Sequence, residues 1–184
     1  MFEQTIRKQP LYDPASVQWM RDELIYVGFE EMLAPEAVEF HLRKNDDEIK
    51  LVVLNSVCGC AAGSARPGVS LALQNDLIPD KLLTSFAGQD RDAVDYLRSE
   101  FLKDYPPSSP MMALFKNGQV IYIMHRYQIE GRTPEQIAAD LIEVFNKVCK
   151  RKGPSIPKEK YEQLVHAKAC GSTILKSTSF NNEK

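Results

Sequence analysis

The sequence has no long hydrophobic run and no strong excess of charge of either sign. Its apolar runs are only a few residues long, far short of the ~20 residues that a membrane-spanning helix needs. The 23 basic and 25 acidic side chains leave a formal net charge of −2, so no overall field attracts nucleic acid or an anionic membrane surface. We therefore expect neither nucleic acid nor a membrane among the partners.

The N-terminal segment lacks the apolar stretch of a secretory signal. We therefore expect a cytoplasmic protein, whose thiols are kept reduced. Cysteine is also scarce, with four in 184 residues. In the cytoplasm cysteines are more often catalytic, metal-binding or simply buried than joined in structural disulfides, so their positions are the informative feature.

Periodicity predicts the order β-α-β-α-β-β-α from residue 49, after two N-terminal helices. Asn117-Gly118 predicts a tight hairpin between the last two strands. Strands joined through a helix should be parallel, and hairpin strands antiparallel. We predict an α/β fold with a mixed β-sheet flanked by helices. The predicted strands cover 49–54, 82–86, 111–115 and 120–124, and the predicted helices cover 14–28, 34–42, 58–74, 90–103 and 133–150.

Cys58-Gly59-Cys60 follows a predicted buried strand and starts a predicted helix. Unpaired backbone N–H groups and the helix dipole stabilise a thiolate at a helix N-terminus, which makes such a cysteine nucleophilic. Because residues i and i+2 of a helix do not face each other, Cys58 must precede the first regular turn, with Gly59 supplying backbone freedom. We expect a disulfide closed over one residue to be strained and easily reduced, as catalytic disulfides are. Pro67 should kink the helix that follows.

Two other interpretations of this pair remain open. The cysteines can be inert thiols, or they can bind a metal through the Cys-x-Cys spacing. No second Cys or His pair with suitable spacing completes a tetrahedral site, so we expect no metal. No Gly-rich dinucleotide fingerprint follows a strand, so we also expect no bound cofactor and an external reductant.

Ser109-Pro110 lies immediately before the third predicted strand. Most such prolines are ordinary turn residues, since few X-Pro bonds are cis in folded proteins. Beside a redox motif, however, this bond is a candidate cis-proline. It would expose backbone near the thiols that can pair with an extended substrate. We therefore take Gly59, Ser109 and Pro110 as candidate substrate-binding residues.

Five short segments of the sequence form a recognisable set: Asn55-Ser-Val-Cys-Gly-Cys-Ala-Ala-Gly63, Arg66-Pro67, Phe86-Ala-Gly-Gln-Asp90, Pro107-Ser-Ser-Pro110 and Ile129-Glu-Gly131. Together they resemble the bacilliredoxins, which are thioredoxin-like proteins with a CGC motif linked to the small thiol bacillithiol. The resemblance covers about residues 13–149 and implies a thioredoxin-like domain over 1–150, followed by a polar C-terminal extension over 151–184. A disulfide isomerase activity has also been proposed for this family.

The resemblance also implies a role for each site residue. Cys58 would attack a mixed disulfide between a protein and bacillithiol and retain the bacillithiol. Cys60 would be the resolving thiol and Pro110 the cis-proline. Cys149 matches a further family cysteine and is a possible accessory thiol, although a buried helix-end cysteine is the simpler interpretation. Cys170 receives no role.

We expect the remaining polar residues to have no part in the chemistry. Arg66 is predicted on a solvated helix face and His125 on the surface. Asp90 and Asp92 are interpreted as charges at a helix start, and the lysine-rich tail as a solvated segment.

These observations predict a thiol–disulfide oxidoreductase that reduces mixed disulfides between proteins and a small thiol of the bacillithiol type. Its partners would be S-thiolated or disulfide-containing proteins, with the small thiol as co-substrate. The alternatives are a protein disulfide isomerase or oxidase, and a non-enzymatic metal-binding module that uses Cys58 and Cys60.

Overall fold

A five-stranded mixed sheet lies at the centre of the protein in the computed structural model, which describes residues 7–171. A separate pair of two-residue strands lies outside it. From one edge to the other, the sheet consists of β1 (Glu30–Glu31), β4 (Lys81–Phe86), β2 (Ile49–Asn55), β5 (Met111–Lys116) and β6 (Gln119–Met124).

The central strand β2 is buried along all seven residues; its aliphatic run Leu51–Leu54 predicts this, and the buried Lys50 pairs with Asp46. It pairs in parallel with β4 and antiparallel with β5. Asn117 and Gly118, with φ angles of 50° and 75°, form the tight turn between β5 and β6. Strands β5 and β6 pair antiparallel, so the predicted parallel and antiparallel pairings are confirmed.

Helices cover both faces of the sheet, which confirms the predicted fold class. Asp13 caps the first helix by accepting a hydrogen bond from the Ser16 N–H at 3.0 Å, and the Thr133 side chain caps the longest helix. Proline follows each cap, in the first turn, where its missing N–H costs nothing. The helices are α1 (Pro14–Tyr26), α2 (Pro35–Leu42), α3 (Arg66–Ala72), α4 (Arg91–Tyr96), α5 (Arg126–Ile129), α6 (Pro134–Val148) and α7 (Lys158–Ala169), with π-helical turns at Ala61–Ala65 and Leu97–Phe101.

Alternate residues of β2 supply the two apolar clusters of the core. Leu51 and Val53 pack with α1, α3 and α6, whereas Val52 and Leu54 pack with α2 and α4. Since both faces are covered, the ends of the strands are where the sheet opens to other molecules. The redox motif follows the C-terminal end of β2.

The predicted helix 58–74 is split in two. The π-helical turn Ala61–Ala65 leads directly into α3, where Pro67 occupies the first turn. The kink expected at Pro67 stays a prediction, and a wider turn lies just before that residue. Such π-helical turns are often found at functional sites.

The segment after residue 150 is more ordered than its polar composition predicts. Strand β7 (Arg151–Lys152) pairs antiparallel with β3 (Leu77–Ile78). Helix α7 packs Leu164, 3% exposed, into the core, and the Tyr26 hydroxyl donates to the Lys160 carbonyl at 3.0 Å. Residues 172–184 of the predicted tail lie outside the described residues. Within 7–171, no helix has the length and apolarity to cross a membrane.

Candidate functional site

Cys58 and Cys60 are joined by a disulfide, with their Cα atoms 5.5 Å apart. Cys58 lies between the end of β2 and the helical segment, as the two-residue spacing requires. Both cysteines are half-buried and Gly59 is exposed. The disulfide is therefore held by the fold on one side and open to solvent on the other.

The backbone around the motif directs hydrogen-bond donors at Cys58. The Ala61 N–H donates to the Cys58 sulfur at 3.4 Å and to the Cys58 carbonyl at 3.0 Å. The Cys58 N–H in turn donates to the Ser56 hydroxyl at 3.2 Å. An N–H at the start of a helix stabilises negative charge on a nearby sulfur, so this arrangement suits a Cys58 thiolate.

Gly59 does not need special backbone freedom, contrary to the expectation from its spacing. Its φ angle is not positive, and a Cβ atom built on it would meet nothing within 4 Å. Gly63 also has open space around it. Neither packing nor a positive φ angle therefore requires glycine at these two positions.

The Ser109–Pro110 peptide bond is cis, as the sequence analysis anticipates. Strand β5 begins directly after it, and Met111 lies opposite Leu54 in the sheet register. Pro110 therefore lies at the end of β2, beside Asn55. Asn55 itself is three residues before Cys58. Pro110 is buried and Ser109 is half-buried.

His125 is buried at this same edge, so the prediction of a surface histidine is wrong. It follows β6 and is 6% exposed. Its Nδ1 lies 3.3 Å from the Ser108 hydroxyl, and its ring stacks on Tyr127 at 5.6 Å. The hairpin returns the chain to the edge where β2 ends, and the segment before Pro110 contacts the ring. His125 thereby helps to position the Ser109–Pro110 segment.

Arg66 is also buried, so the prediction of a solvated helix face is wrong. It is 1% exposed and its Nε donates to the Glu23 carboxylate at 2.6 Å. Its Nη1 donates to the Asn55 side chain and the Ser56 carbonyl, both at 3.2 Å. Because a π-helical turn is wider than an α-helical one, it changes the face on which the following residues lie.

Arg66 thus connects α1 to the two residues that precede the motif. Its Nη2 has no hydrogen-bond partner among the described residues. The interpretation of Asp90 as a simple helix-start charge is wrong in the same way. Asp90 is 9% exposed, accepts from the Phe86 N–H at 2.8 Å and pairs with Arg21 at 2.7 Å. Both ion pairs fix backbone at the edge of the sheet where the motif lies.

Cys149 is 5% exposed and belongs to the core. Burial, with a smaller contribution from the Asp80 charge, raises the pKa of its thiol from 9.0 to about 12. Asp80 immediately precedes β4 at the opposite end of the sheet from Cys58. Seven residues of β2 span about 20 Å, whereas bridged Cα atoms lie within ~7 Å. The accessory role stays a prediction, and this arrangement does not favour direct exchange.

The remaining thiol, Cys170, is exposed at the end of α7, and its sulfur lies 3.7 Å from His166 Nε2. Within residues 7–171, no three or more His, Cys, Asp or Glu side chains are grouped to hold a metal ion.

Helix α7 makes a contact beside the motif that was not predicted from the sequence. The Lys168 ammonium of α7 lies 3.4 Å from the Ala62 carbonyl and 3.2 Å from Glu23.

The sequence matches a family model and several known proteins over most of its length. A family model described as disulphide isomerase matches residues 12–149. A bacilliredoxin of Salinibacter ruber is 47% identical over 143 residues, or 78% of this chain and 83% of the relative. A bacilliredoxin of Cytophaga hutchinsonii is 44% identical over 138 residues, covering 75% of this chain and 100% of the relative. One of Bacillus cereus is 47% identical over 131 residues, covering 71% and 90%.

Among solved structures, thioredoxin f2 of Chlamydomonas reinhardtii aligns with a TM-score of 0.44 and 14% identity, covering 65% of this chain and 95% of that chain. The fold assignment rests on the strand order described above rather than on this likeness. The Cys58–Cys60 motif and the cis bond before Pro110 agree with the sequence matches, which extend over most of the chain. The chain belongs to the bacilliredoxin family, which the family model describes as disulphide isomerase.

Proposed function

We propose that this protein is a thiol–disulfide oxidoreductase that reduces mixed disulfides between proteins and a small thiol of the bacillithiol type. The observation that supports it most is the Cys58–Cys60 disulfide at a helix start, with the Ala61 N–H 3.4 Å from the Cys58 sulfur. This contact favours the thiolate of Cys58 over that of an ordinary exposed cysteine. The names of the bacilliredoxin relatives support the choice of small thiol.

In the first step, the Cys58 thiolate attacks the small-thiol sulfur of the mixed disulfide. The bond between that sulfur and the target protein breaks, and the target cysteine leaves as a thiolate and takes a proton from water. In the second step, the Cys60 thiolate attacks the Cys58 sulfur. The small thiol leaves, the Cys58–Cys60 disulfide forms, and an external thiol reductant supplies the two electrons that regenerate the dithiol.

The cis Ser109–Pro110 bond and the strand end beside it have a role in this scheme. Ser109 and Pro110 lie beside the end of β2, and extended backbone there can pair with an extended segment of the target. The open space around Gly59 lets the target approach the disulfide. The scheme also implies a cytoplasmic location, where a reduced thiol pool is available.

The test uses reduced Cys60→Ala protein and a model protein that carries bacillithiol on one cysteine. We expect one bacillithiol to transfer to Cys58, with release of one thiol of the model protein, and the adduct to persist because no resolving thiol remains. Peptide mass mapping locates it, and Cys58→Ser is the matched control. Full reductase activity of Cys58→Ser would contradict the mechanism. So would transfer of bacillithiol to a cysteine other than Cys58 in the Cys60→Ala protein.

Protein disulfide isomerase activity is the second candidate, because the matching family model bears that description. The same Cys58 thiolate would then attack a disulfide within a target protein, and a target thiolate would later displace it. Reactivation of a scrambled disulfide protein distinguishes the two functions. Faster turnover of the scrambled substrate than of the bacillithiol adduct would favour isomerisation.

A further inference from the structure

Helix α7 brings a positive charge to the redox motif from outside the region that matches the family model. That match ends at residue 149, and α7 begins at Lys158. The Lys168 ammonium lies 3.4 Å from the Ala62 carbonyl. The Ala62 N–H donates to the Cys58 carbonyl at 3.3 Å, so Lys168 binds the first turn after the motif.

Three charged side chains meet at this turn, and their charges do not cancel one another. α1 contributes the carboxylate of Glu23, α3 the guanidinium of Arg66 and α7 the ammonium of Lys168. Glu23 lies 2.6 Å from Arg66 and 3.2 Å from Lys168. Two cations thus share one carboxylate, and the three side chains together carry one net positive charge. The side chains of Arg66 and Glu23 are 1% and 9% exposed, and that of Lys168 is 29% exposed, so solvent screens the group only in part.

We propose that Lys168 is a positioning residue of the redox site, whose ammonium leaves a net positive charge behind the Cys58-Gly59-Cys60 turn and favours the Cys58 thiolate. It acts through the Ala62 carbonyl and Glu23 and does not touch the substrate. The proposal rests on the proposed function only for the choice of Cys58 as the reacting thiol. Through it, the C-terminal extension sets the reactivity of a motif in the family domain.

The docking of α7 does not depend on this lysine. Leu164 is 3% exposed in the core and the Tyr26 hydroxyl donates to the Lys160 carbonyl at 3.0 Å. Both contacts lie at least one helical turn before Lys168. We therefore expect Lys168→Met to keep α7 in place and to remove the charge alone.

The test measures how fast iodoacetamide alkylates Cys58 between pH 5 and pH 9. The background protein carries Cys60→Ala and Cys170→Ser, so that Cys58 is its accessible thiol. The pH at which the rate reaches half its maximum measures where the Cys58 thiol ionises, and the assay needs no bacillithiol. Coulombic attraction between two unit charges in partly screened protein is of the order that shifts such a midpoint by about half to one pH unit.

In this background we expect Lys168→Met to raise the midpoint by that amount and to slow alkylation at pH 6 by about three- to tenfold. Lys168→Arg should keep the parental midpoint because it keeps the charge. Lys158→Met removes an equal charge from the other end of α7, about 15 Å along the helix axis, and should leave the midpoint unchanged. Circular dichroism melting curves should agree among all variants.

An unchanged midpoint in Lys168→Met would overturn the proposal. So would an equal shift in Lys168→Arg or in Lys158→Met, because either would show an effect other than local charge. A loss of α7 signal in Lys168→Met would overturn it as well, since the lysine would then be structural. A parent that takes up no bacillithiol, but whose midpoint depends on Lys168 as described, would refute the proposed substrate and leave this inference intact.

Discussion

Cys58 differs from two of the other cysteines in what surrounds its sulfur. A backbone N–H at a helix start lies 3.4 Å from it. Burial raises the pKa of Cys149 to about 12, so that thiol stays protonated at neutral pH, and Cys170 lies exposed outside the motif. The reactivity of each thiol therefore follows from its position in the fold rather than from its sequence neighbours alone.

Arg66 shows how the residues behind the motif hold it in place. Replacement by Met removes the pair with Glu23 and the bonds to Asn55 and Ser56. Removing one partner of a buried ion pair costs about 3–5 kcal/mol when the other charge is left alone, but Glu23 keeps its pair with Lys168. We therefore expect the free energy of unfolding of Arg66→Met, measured by urea denaturation, to fall by about 1–3 kcal/mol, the cost of the buried hydrogen bonds that it loses.

The matched control for Arg66→Met is Lys147→Met. Lys147 pairs with Glu143, but both side chains are more than 60% exposed, and such surface pairs contribute about 0–1 kcal/mol. Equal stability losses in the two variants would show that Arg66 is not an essential buried partner.

At the scale of elements, the position of the redox segment depends on how closely α3 packs against α6. A Cβ atom on Gly68 would lie 2.7 Å from the Ile137 Cβ atom and 3.1 Å from the Pro134 carbonyl oxygen. Only glycine permits this approach of the two helices. The same contact holds the π-helical turn Ala61–Ala65, which continues directly into α3, at the end of β2.

Gly68→Ala should therefore destabilise the protein by about 1–3 kcal/mol, the usual cost of overpacking. Gly63→Ala is the matched control in the same helical segment, because a Cβ there meets nothing within 4 Å. It should be neutral or slightly stabilising, since alanine suits helical backbone better than glycine. Thermal denaturation of the two variants compares them directly, and an equal loss in both would contradict the close-packing account.

The elements that the sequence predicts well are those determined by local patterns. The apolar run of β2, the Asn117-Gly118 turn and the prolines that follow helix caps each depend on nearby residues. Helix α7 was not predicted because its polar sequence contains one buried residue, Leu164, and no apolar stripe. The two-residue strand β1 is too short to leave a pattern.

The parts of the site that were not predicted depend on contacts between residues far apart in sequence. Arg66 is buried because a π-helical turn precedes it and Glu23 lies beside it, 43 residues earlier in the chain. His125 is buried because a hairpin carries it to Ser108. The motif itself was found because two cysteines at a helix start need no distant partner to be recognised.

At the scale of the whole molecule, the fold places the four cysteines in different environments. The edge of the sheet at the end of β2 holds Cys58 and Cys60, the opposite end holds Cys149, and α7 ends at Cys170. The fold therefore separates the Cys58–Cys60 pair from a buried thiol and an exposed one. The C-terminal helix contacts the turn after the reactive pair through the bond from Lys168 to the Ala62 carbonyl.

The most direct test of this account is a short pulse of iodoacetamide on the fully reduced protein at pH 7, with each cysteine followed by peptide mass mapping. We predict that Cys58 reacts first and Cys170 more slowly, and that Cys149 is protected until denaturant is added. Alkylation of Cys60 or Cys170 ahead of Cys58 would contradict the assignment of Cys58 as the nucleophile on which the account depends.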